Sequence, residues 1–171
     1  MTHVKKNSIV VATLVGLLLA GSALVVGAES MKKSMRTFSR AYLHSYNLPS
    51  SGLALEGYCP VTYFVSNEAR LGKPEHSSTY NGVDYHFASA EAKHIFDRNP
   101  EMYVPAYGGW CAYGMAVKNK FPVDPLNFKI VNGRLMLFLR NEKIDALAKW
   151  NEGDEQAQVR EANAFWKKVS Q

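Results

Sequence analysis

Two Asn-Gly dipeptides, each set between short runs of aromatic and β-branched residues, constrain the fold of this chain more than any other feature. The first is Asn81-Gly82 in "STYNGVDYHF", and the second is Asn132-Gly133 in "FKIVNGRLMLFL". Asn-Gly supplies the two positive φ angles that a tight type I′ turn needs. Each stretch therefore predicts an antiparallel β-hairpin.

Helical signals lie between the hairpins and after the second one. Ser89 is a predicted N-cap for a helix that begins at Ala90, and Asn99-Pro100 predicts a second helix start. The tail predicts two helices broken near Gly153, with Ile144 on the apolar stripe of the first. No repeat or low-complexity segment is evident. The predicted fold class is α+β: a small single domain of two antiparallel β-hairpins with helices packed against them.

The N-terminal segment predicts export. Lys5 and Lys6 precede residues 8–28, a run of 21 residues without charge that ends in small side chains. This pattern is typical of a signal peptide, and the length also suits an N-terminal membrane anchor. Residues 29–52 then form a basic, polar linker whose cations could contact anionic lipid. Residues 53–171 form the folded domain.

The charge distribution argues against nucleic-acid binding. The whole chain has a formal charge of +5, but residues 51–171 contain 14 Lys and Arg against 14 Asp and Glu, a net charge of zero. The basic residues are concentrated in the leader and linker, so no basic face is expected on the domain. We expect no nucleic-acid partner, and membrane contact only through residues 8–28 and the linker.

Two cysteines, Cys59 and Cys111, are the chain's most chemically distinctive residues. Common catalytic motifs are absent from the sequence, which argues against an enzyme. In an oxidising compartment the cysteines could form one disulfide, worth about 4 kcal/mol in the chain-entropy model. They could equally hold a metal ion together or remain unpaired thiols.

A metal site would need further ligands, and soft donors suit monovalent copper. Met115 would share a face with Cys111 if this stretch is helical. His86 alternates with Tyr85 and Phe87 in a strand, so it points outward if those rings face the core. An apolar pocket near the second cysteine is also predicted, lined by Tyr58, Tyr107, Trp110 and Tyr113.

The ordered motifs "LEGYCPVTYF", "YNGVDYHFASAEAKHIFDRNPEMYVPAYGGWCAYG" and "VNGRLMLFL" resemble the exported type of YHS domain-containing protein. The family triplet corresponds to Tyr85-His86-Phe87, with phenylalanine in the third place. The resemblance implies a YHS-like fold over the exported domain. It also implies metal binding through cysteines, since YHS modules of copper-transporting ATPases carry cysteines implicated in that role. Relatives with Asp, Cys or selenocysteine at the position of Cys59 favour reactive or ligand chemistry there.

The leading expectation is therefore an exported, periplasmic or membrane-anchored module that binds a soft metal ion for handling or sensing. Copper is the expected cofactor, with Cys59 and Cys111 as primary ligands and Met115 or His86 completing the site. Thiol-disulfide redox chemistry at the same cysteines is the alternative, and an interaction module with a structural disulfide is a third hypothesis. The expected partner is a protein in the exported compartment.

Overall fold

A computed structural model describes residues 30–32, 45–49 and 51–170. The chain divides into two units, Met1–Arg40 and Ala41–Gln171. In the first unit, residues 30–32 are helical. Among the described residues, no helix has both the length and the apolar character needed to cross a bilayer. The predicted signal peptide or anchor, residues 8–28, lies outside them.

The second unit combines short helices with two small sheets, which confirms the predicted α+β class. Its helices are α1 (Thr62–Val65), α2 (Ala90–Arg98), α3 (Pro100–Tyr103), α4 (Ala112–Ala116), α5 (Ala146–Glu152) and α6 (Glu155–Val169). Its strands are β1 (Lys73–Tyr80), β2 (Val83–Phe87), β3 (Asp124–Val131) and β4 (Arg134–Phe138). Two tight turns complete the set: turn 1 (Ala54–Gly57) and turn 2 (Ala106–Gly109).

Both predicted hairpins are present. β1 pairs with β2 and β3 with β4, each as a two-stranded antiparallel sheet. Asn81 and Gly82 have φ of 51° and 79°, and Asn132 and Gly133 have φ of 52° and 72°. Two successive positive φ angles are the signature of the type I′ turn that the dipeptides predict.

Ser89 caps α2 as predicted, and two further caps are present. The Ser89 side chain accepts a hydrogen bond from Ala92 N at the start of α2. Asp145 and Asp154 cap α5 and α6, which are separated at Gly153 as predicted. Ile144 precedes the Asp145 cap and is 39% exposed, so its predicted place on the helix stripe is wrong.

The two hairpins are copies of one another, which corrects the prediction that the chain contains no repeat. In the first, Lys73 pairs with Phe87, Ser77 with His86 and Tyr80 with Val83, with a bulge between Lys73 and Ser77. In the second, the pairs and the bulge recur 51 positions later, as Asp124–Phe138, Phe128–Leu137 and Val131–Arg134. Identical register and identical bulge define two structural repeats, repeat 1 (residues 54–98) and repeat 2 (residues 106–152).

The segments that lead into the hairpins repeat as well. Turn 1 has φ of 57°, 52° and 88° at Leu55, Glu56 and Gly57. Turn 2 has φ of 55°, 59° and 84° at its last three residues, Tyr107, Gly108 and Gly109. An aromatic residue and then a cysteine follow each turn. The amide N–H of Cys59 donates to Arg70 O and that of Cys111 to Phe121 O. The two cysteines therefore hold equivalent positions in the two repeats.

Each repeat contributes most of one hydrophobic cluster. The first cluster is built from repeat 1 together with Leu135 and Leu137 of β4. The second is built from repeat 2 together with Val159 and Ala162 of α6. Alternate residues of β4 therefore serve different clusters, since side chains along a strand point to opposite faces of the sheet.

Candidate functional site

Cys111 occupies the N-cap of α4 and is fully buried. Its Sγ accepts hydrogen bonds from the backbone N–H of Gly114 at 3.4 Å and of Leu139 at 3.3 Å. Burial raises the pKa of the Cys111 thiol, although these N–H groups act in the opposite direction. At neutral pH the group is therefore a protonated thiol. The two N–H groups that donate to its Sγ would also stabilise a thiolate.

Two methionines share the second cluster with this thiol. Met115 lies on α4, and its backbone N–H donates to Cys111 O at 2.9 Å. Met136 lies on β4, and both methionine side chains are fully buried. We call Cys111, Met115 and Met136 the sulfur cluster. All three residues belong to the second hydrophobic cluster, and their thiol and thioether groups are soft donors.

Cys59 lies in the first cluster and is fully buried there. Its carbonyl accepts a hydrogen bond from Thr62 Oγ1 at 3.0 Å. Both Cys59 and Cys111 are free thiols, so the expected disulfide is not formed. Cys59 and Cys111 belong to different hydrophobic clusters.

His86 lies on the face of β2 opposite Tyr85 and Phe87, as the strand alternation predicts. Those two rings are buried and His86 is half-buried. A Cβ built on Gly57 would lie 3.9 Å from His86 Nδ1, and one on Gly72 would lie 2.4 Å from the His86 carbonyl carbon. His86 therefore covers two glycines of repeat 1, whereas the sulfur cluster belongs to repeat 2.

The four aromatic residues predicted to line a pocket have different roles. Tyr107 lines a cavity of about 230 Å³, and its hydroxyl donates to Asn163 Oδ1 at 3.1 Å. Trp110 Nε1 donates to Ser45 O at 2.6 Å. Tyr58 packs against the first cluster and Tyr113 against the second. Tyr58, Trp110 and Tyr113 are therefore partly buried residues that pack against the two clusters, and Tyr107 lines a cavity.

The chemistry available at the site follows from this geometry. Throughout the described ranges, no three or more His, Cys, Asp and Glu side chains converge as a metal-binding group. The sulfur cluster supplies thiolate and thioether donors instead, which are the ligands that monovalent copper prefers.

Fold and site together define a class: a small α+β module of two hairpin repeats, with a half-buried strand histidine and a buried thiol after each left-handed turn. Residues 66–107 match the family model of the YHS domain. This match confirms the resemblance to the YHS domain over these residues. The match spans the first hairpin and His86 but neither cysteine. Neither the curated proteins nor the solved structures include a match to this chain.

Sequence reasoning missed Met136 and the equivalence of the two cysteines. The signal for both was present in the spacing. The Asn-Gly turns are 51 positions apart and the cysteines 52 apart. When the chain is aligned with itself at an offset of 51 positions, Met136 of β4 corresponds to Tyr85 of β2. Both residues are buried.

Proposed function

We propose that this protein is an exported YHS-domain module that binds a soft metal ion, copper(I) in the first instance, for metal handling or sensing. The observation that carries the proposal is the sulfur cluster, in which Cys111, Met115 and Met136 are buried together. It revises the expected ligand set, because Cys59 belongs to the other cluster.

The surroundings of Cys111 support a thiolate ligand. Metal binding to a cysteine requires loss of the thiol proton. The N–H groups of Gly114 and Leu139 already point at Sγ and favour the charged form. Bound copper(I) would neutralise the remaining charge and offset the burial that keeps the free thiol protonated. Met115 and Met136 would add neutral thioether donors without adding charge.

The same burial weighs against the redox alternative. Reactive cysteines are accessible and have a lowered pKa. Cys111 has no exposed surface, and burial raises its pKa. Cys59 is equally inaccessible and lies in a different cluster. We therefore propose binding of a metal ion, and not a dithiol-disulfide cycle or catalysis, as the function.

The test is competition for copper(I) between the full-length protein and a chromogenic chelator under anaerobic, reducing conditions. We expect one ion per chain, with binding abolished in Cys111→Ser. Met115→Leu and Met136→Leu should each weaken affinity by about tenfold, the loss of one soft donor. Cys59→Ser is the matched control, because it removes the equivalent thiol from repeat 1.

The variants also define failure. Unchanged affinity in Cys111→Ser, or the absence of saturable copper(I) binding in a folded protein, would refute the proposal. A loss of binding in Cys59→Ser equal to that in Cys111→Ser would restore the original expectation of a shared cysteine site. Thermal unfolding of every variant distinguishes ligand loss from a folding defect.

We propose the exported compartment as the site of action, with a protein of that compartment as partner. The support is the uncharged run at residues 8–28 behind Lys5 and Lys6. Fractionation of cells expressing a C-terminally tagged full-length chain tests this proposal. Tagged protein confined to the cytosol would contradict it. Removing residues 1–28 should abolish export, and the size of the exported product reports cleavage against anchoring.

A further inference from the structure

A cleft of about 280 Å³ opens between the two left-handed turns. Its apolar walls are Leu48, Leu55, Val123 and Leu137, and Glu56 lines it from an exposed position. This volume is near the lower end of the range for small-molecule pockets, about 300 Å³. Apolar walls with a single carboxylate are the arrangement that would bind an organic cation with a compact apolar body.

One side of the cleft is formed by residues 45–49, called the strap. Asn47 N donates to Gly108 O at 2.8 Å, and Asn47 Nδ2 donates to Gly109 O at 3.1 Å. Asn47 itself lines the cleft together with Leu48. Because the strap is hydrogen-bonded to turn 2, this wall is held in place before any ligand arrives.

The conformation of Glu56 is the observation that points to a ligand. Glu56 has φ of 52°, in the left-handed region that disfavours residues with a Cβ. Its equivalent in turn 2 is Gly108, with φ of 59°. Repeat 2 thus uses glycine where repeat 1 retains a strained, charged residue.

No folded-state contact explains this choice. Across the described part of the chain, no hydrogen bond or ion pair engages the Glu56 carboxylate. The left-handed backbone belongs to a turn that both repeats share, so the feature to be explained is a charged side chain at a position where glycine would relieve the strain. The Tyr63 hydroxyl donates to Pro125 O, and Pro125 lines the cleft. The pKa of Tyr63 is raised mainly by burial, and Glu56 makes the smallest of the charge contributions that raise it further.

We propose that this cleft binds a small primary ammonium ion with an apolar body, and that Glu56 pairs with the ammonium group. Leu48, Val123 and Leu137 would enclose the apolar part, while the exposed carboxylate would face the charge at the opening. The site differs from the sulfur cluster in its residues and in its ligand chemistry. Neither proposal depends on the other.

The experiment titrates full-length protein with 2-phenylethylammonium and with its neutral analogue 2-phenylethanol, following methyl NMR signals of Leu48, Val123 and Leu137. We expect saturable shifts of these methyls with the amine, and about five- to tenfold weaker binding of the alcohol. Glu56→Gln and Glu56→Gly should weaken amine binding by the same factor. Glu75→Gln removes an exposed carboxylate from β1 and should leave binding unchanged.

Glu56→Gly adds a second readout. Glycine relieves the left-handed strain, so its unfolding midpoint should rise by about 4 °C while amine binding falls. Equal binding of amine and alcohol, unchanged amine affinity in Glu56→Gln, or no saturable shift at the solubility limit of the amine would each overturn the proposal. So would shifts confined to methyls outside the cleft.

Discussion

Gly108 shows at the scale of one residue how the strap and α6 depend on turn 2. It has φ of 59°, and a Cβ at this position would lie 2.9 Å from Trp166 Cη2 and 3.2 Å from Tyr46 Cα. Backbone conformation and steric contact therefore both require glycine. Gly133 has φ of 72° with nothing within 4 Å of a built Cβ, so only its conformation requires glycine.

We predict that Gly133→Ala lowers the free energy of unfolding by about 1 kcal/mol, the cost of a left-handed alanine. Gly108→Ala should cost about 3 kcal/mol, because Trp166 and Tyr46 must also move. Urea unfolding of the two variants and the wild type checks both values. Equal losses of unfolding free energy in the two variants would show that the strap and Trp166 move aside without destabilising the protein.

At the scale of elements, Glu155 joins three of them. Its carboxylate accepts hydrogen bonds from Trp150 Nε1 at 2.9 Å and from Lys129 Nζ. The Trp150 side chain belongs to the second cluster and is fully buried. Lys129 lies on β3. The hydrogen bond from Lys129 and then that from Trp150 lower the pKa of Glu155, against an opposing effect of burial. This residue thus ties α5 and α6 to the second hairpin.

The lowered pKa sets the sign of a pH dependence. A carboxyl group with a lower pKa in the folded state stabilises the protein above its unfolded pKa, and this contribution disappears as the pH falls through the folded pKa. Glu155→Gln should therefore be less stable than the wild type at neutral pH, and the difference should vanish once the pH falls below the lowered pKa of Glu155. Glu155→Ala should cost about 1–3 kcal/mol at neutral pH, because it leaves the Trp150 N–H unpaired.

Chemical denaturation across this pH range measures both variants. Glu161→Gln is the control, because its ion pair with Lys118 is exposed and 3.5 Å long and should contribute little. A difference in unfolding free energy between Glu155→Gln and the wild type that persists unchanged at low pH would contradict this prediction. It would show that the carboxylate charge does not strengthen the interactions of Glu155 with Trp150 and Lys129.

Elements with local signals were predictable from the sequence. Ser89 and Pro100 mark helix starts, and Asn-Gly marks both hairpins, because these residues act on the backbone within a few positions. Leu55 and Tyr107 gave no such signal. Both are residues that disfavour positive φ, so only their tertiary environment holds them there. The α+β class was predictable because the hairpins and helices carry local signals, whereas turn 1 and turn 2 carry none.

The site was predictable only in part. Met115 joins Cys111 because both lie within one helical turn, a relation that spacing specifies. The partnership of Met136 with them depends on packing between α4 and β4, and the assignment of Cys59 and Cys111 to different clusters depends on how the repeats divide the core. Neither follows from sequence spacing, because each depends on contacts between distant segments.

On the scale of the whole molecule, the two hairpins have the same backbone register but differ in how many of their faces are buried. In repeat 2, the face of the hairpin away from the second cluster packs against the first cluster through Phe128, Ile130, Leu135 and Leu137. The equivalent residues of repeat 1 are polar: Ser77, Thr79, Asp84 and His86. The second hairpin is therefore buried on both faces, and the first hairpin on one. Residue type at these positions, more than backbone shape, determines which repeat covers the other.

This asymmetry predicts opposite tolerance at equivalent positions. Leu137→His places the repeat 1 residue into repeat 2, where the side chain is 1% exposed, and should cost about 3–5 kcal/mol through lost packing and a buried polar group. His86→Leu makes the reverse exchange on the half-buried face and should change stability by less than about 1 kcal/mol. Denaturant unfolding of both variants, with circular dichroism to confirm a folded state, measures the contrast. Comparable losses of unfolding free energy in the two variants would contradict the asymmetry. They would mean that the first hairpin also buries the face that carries His86.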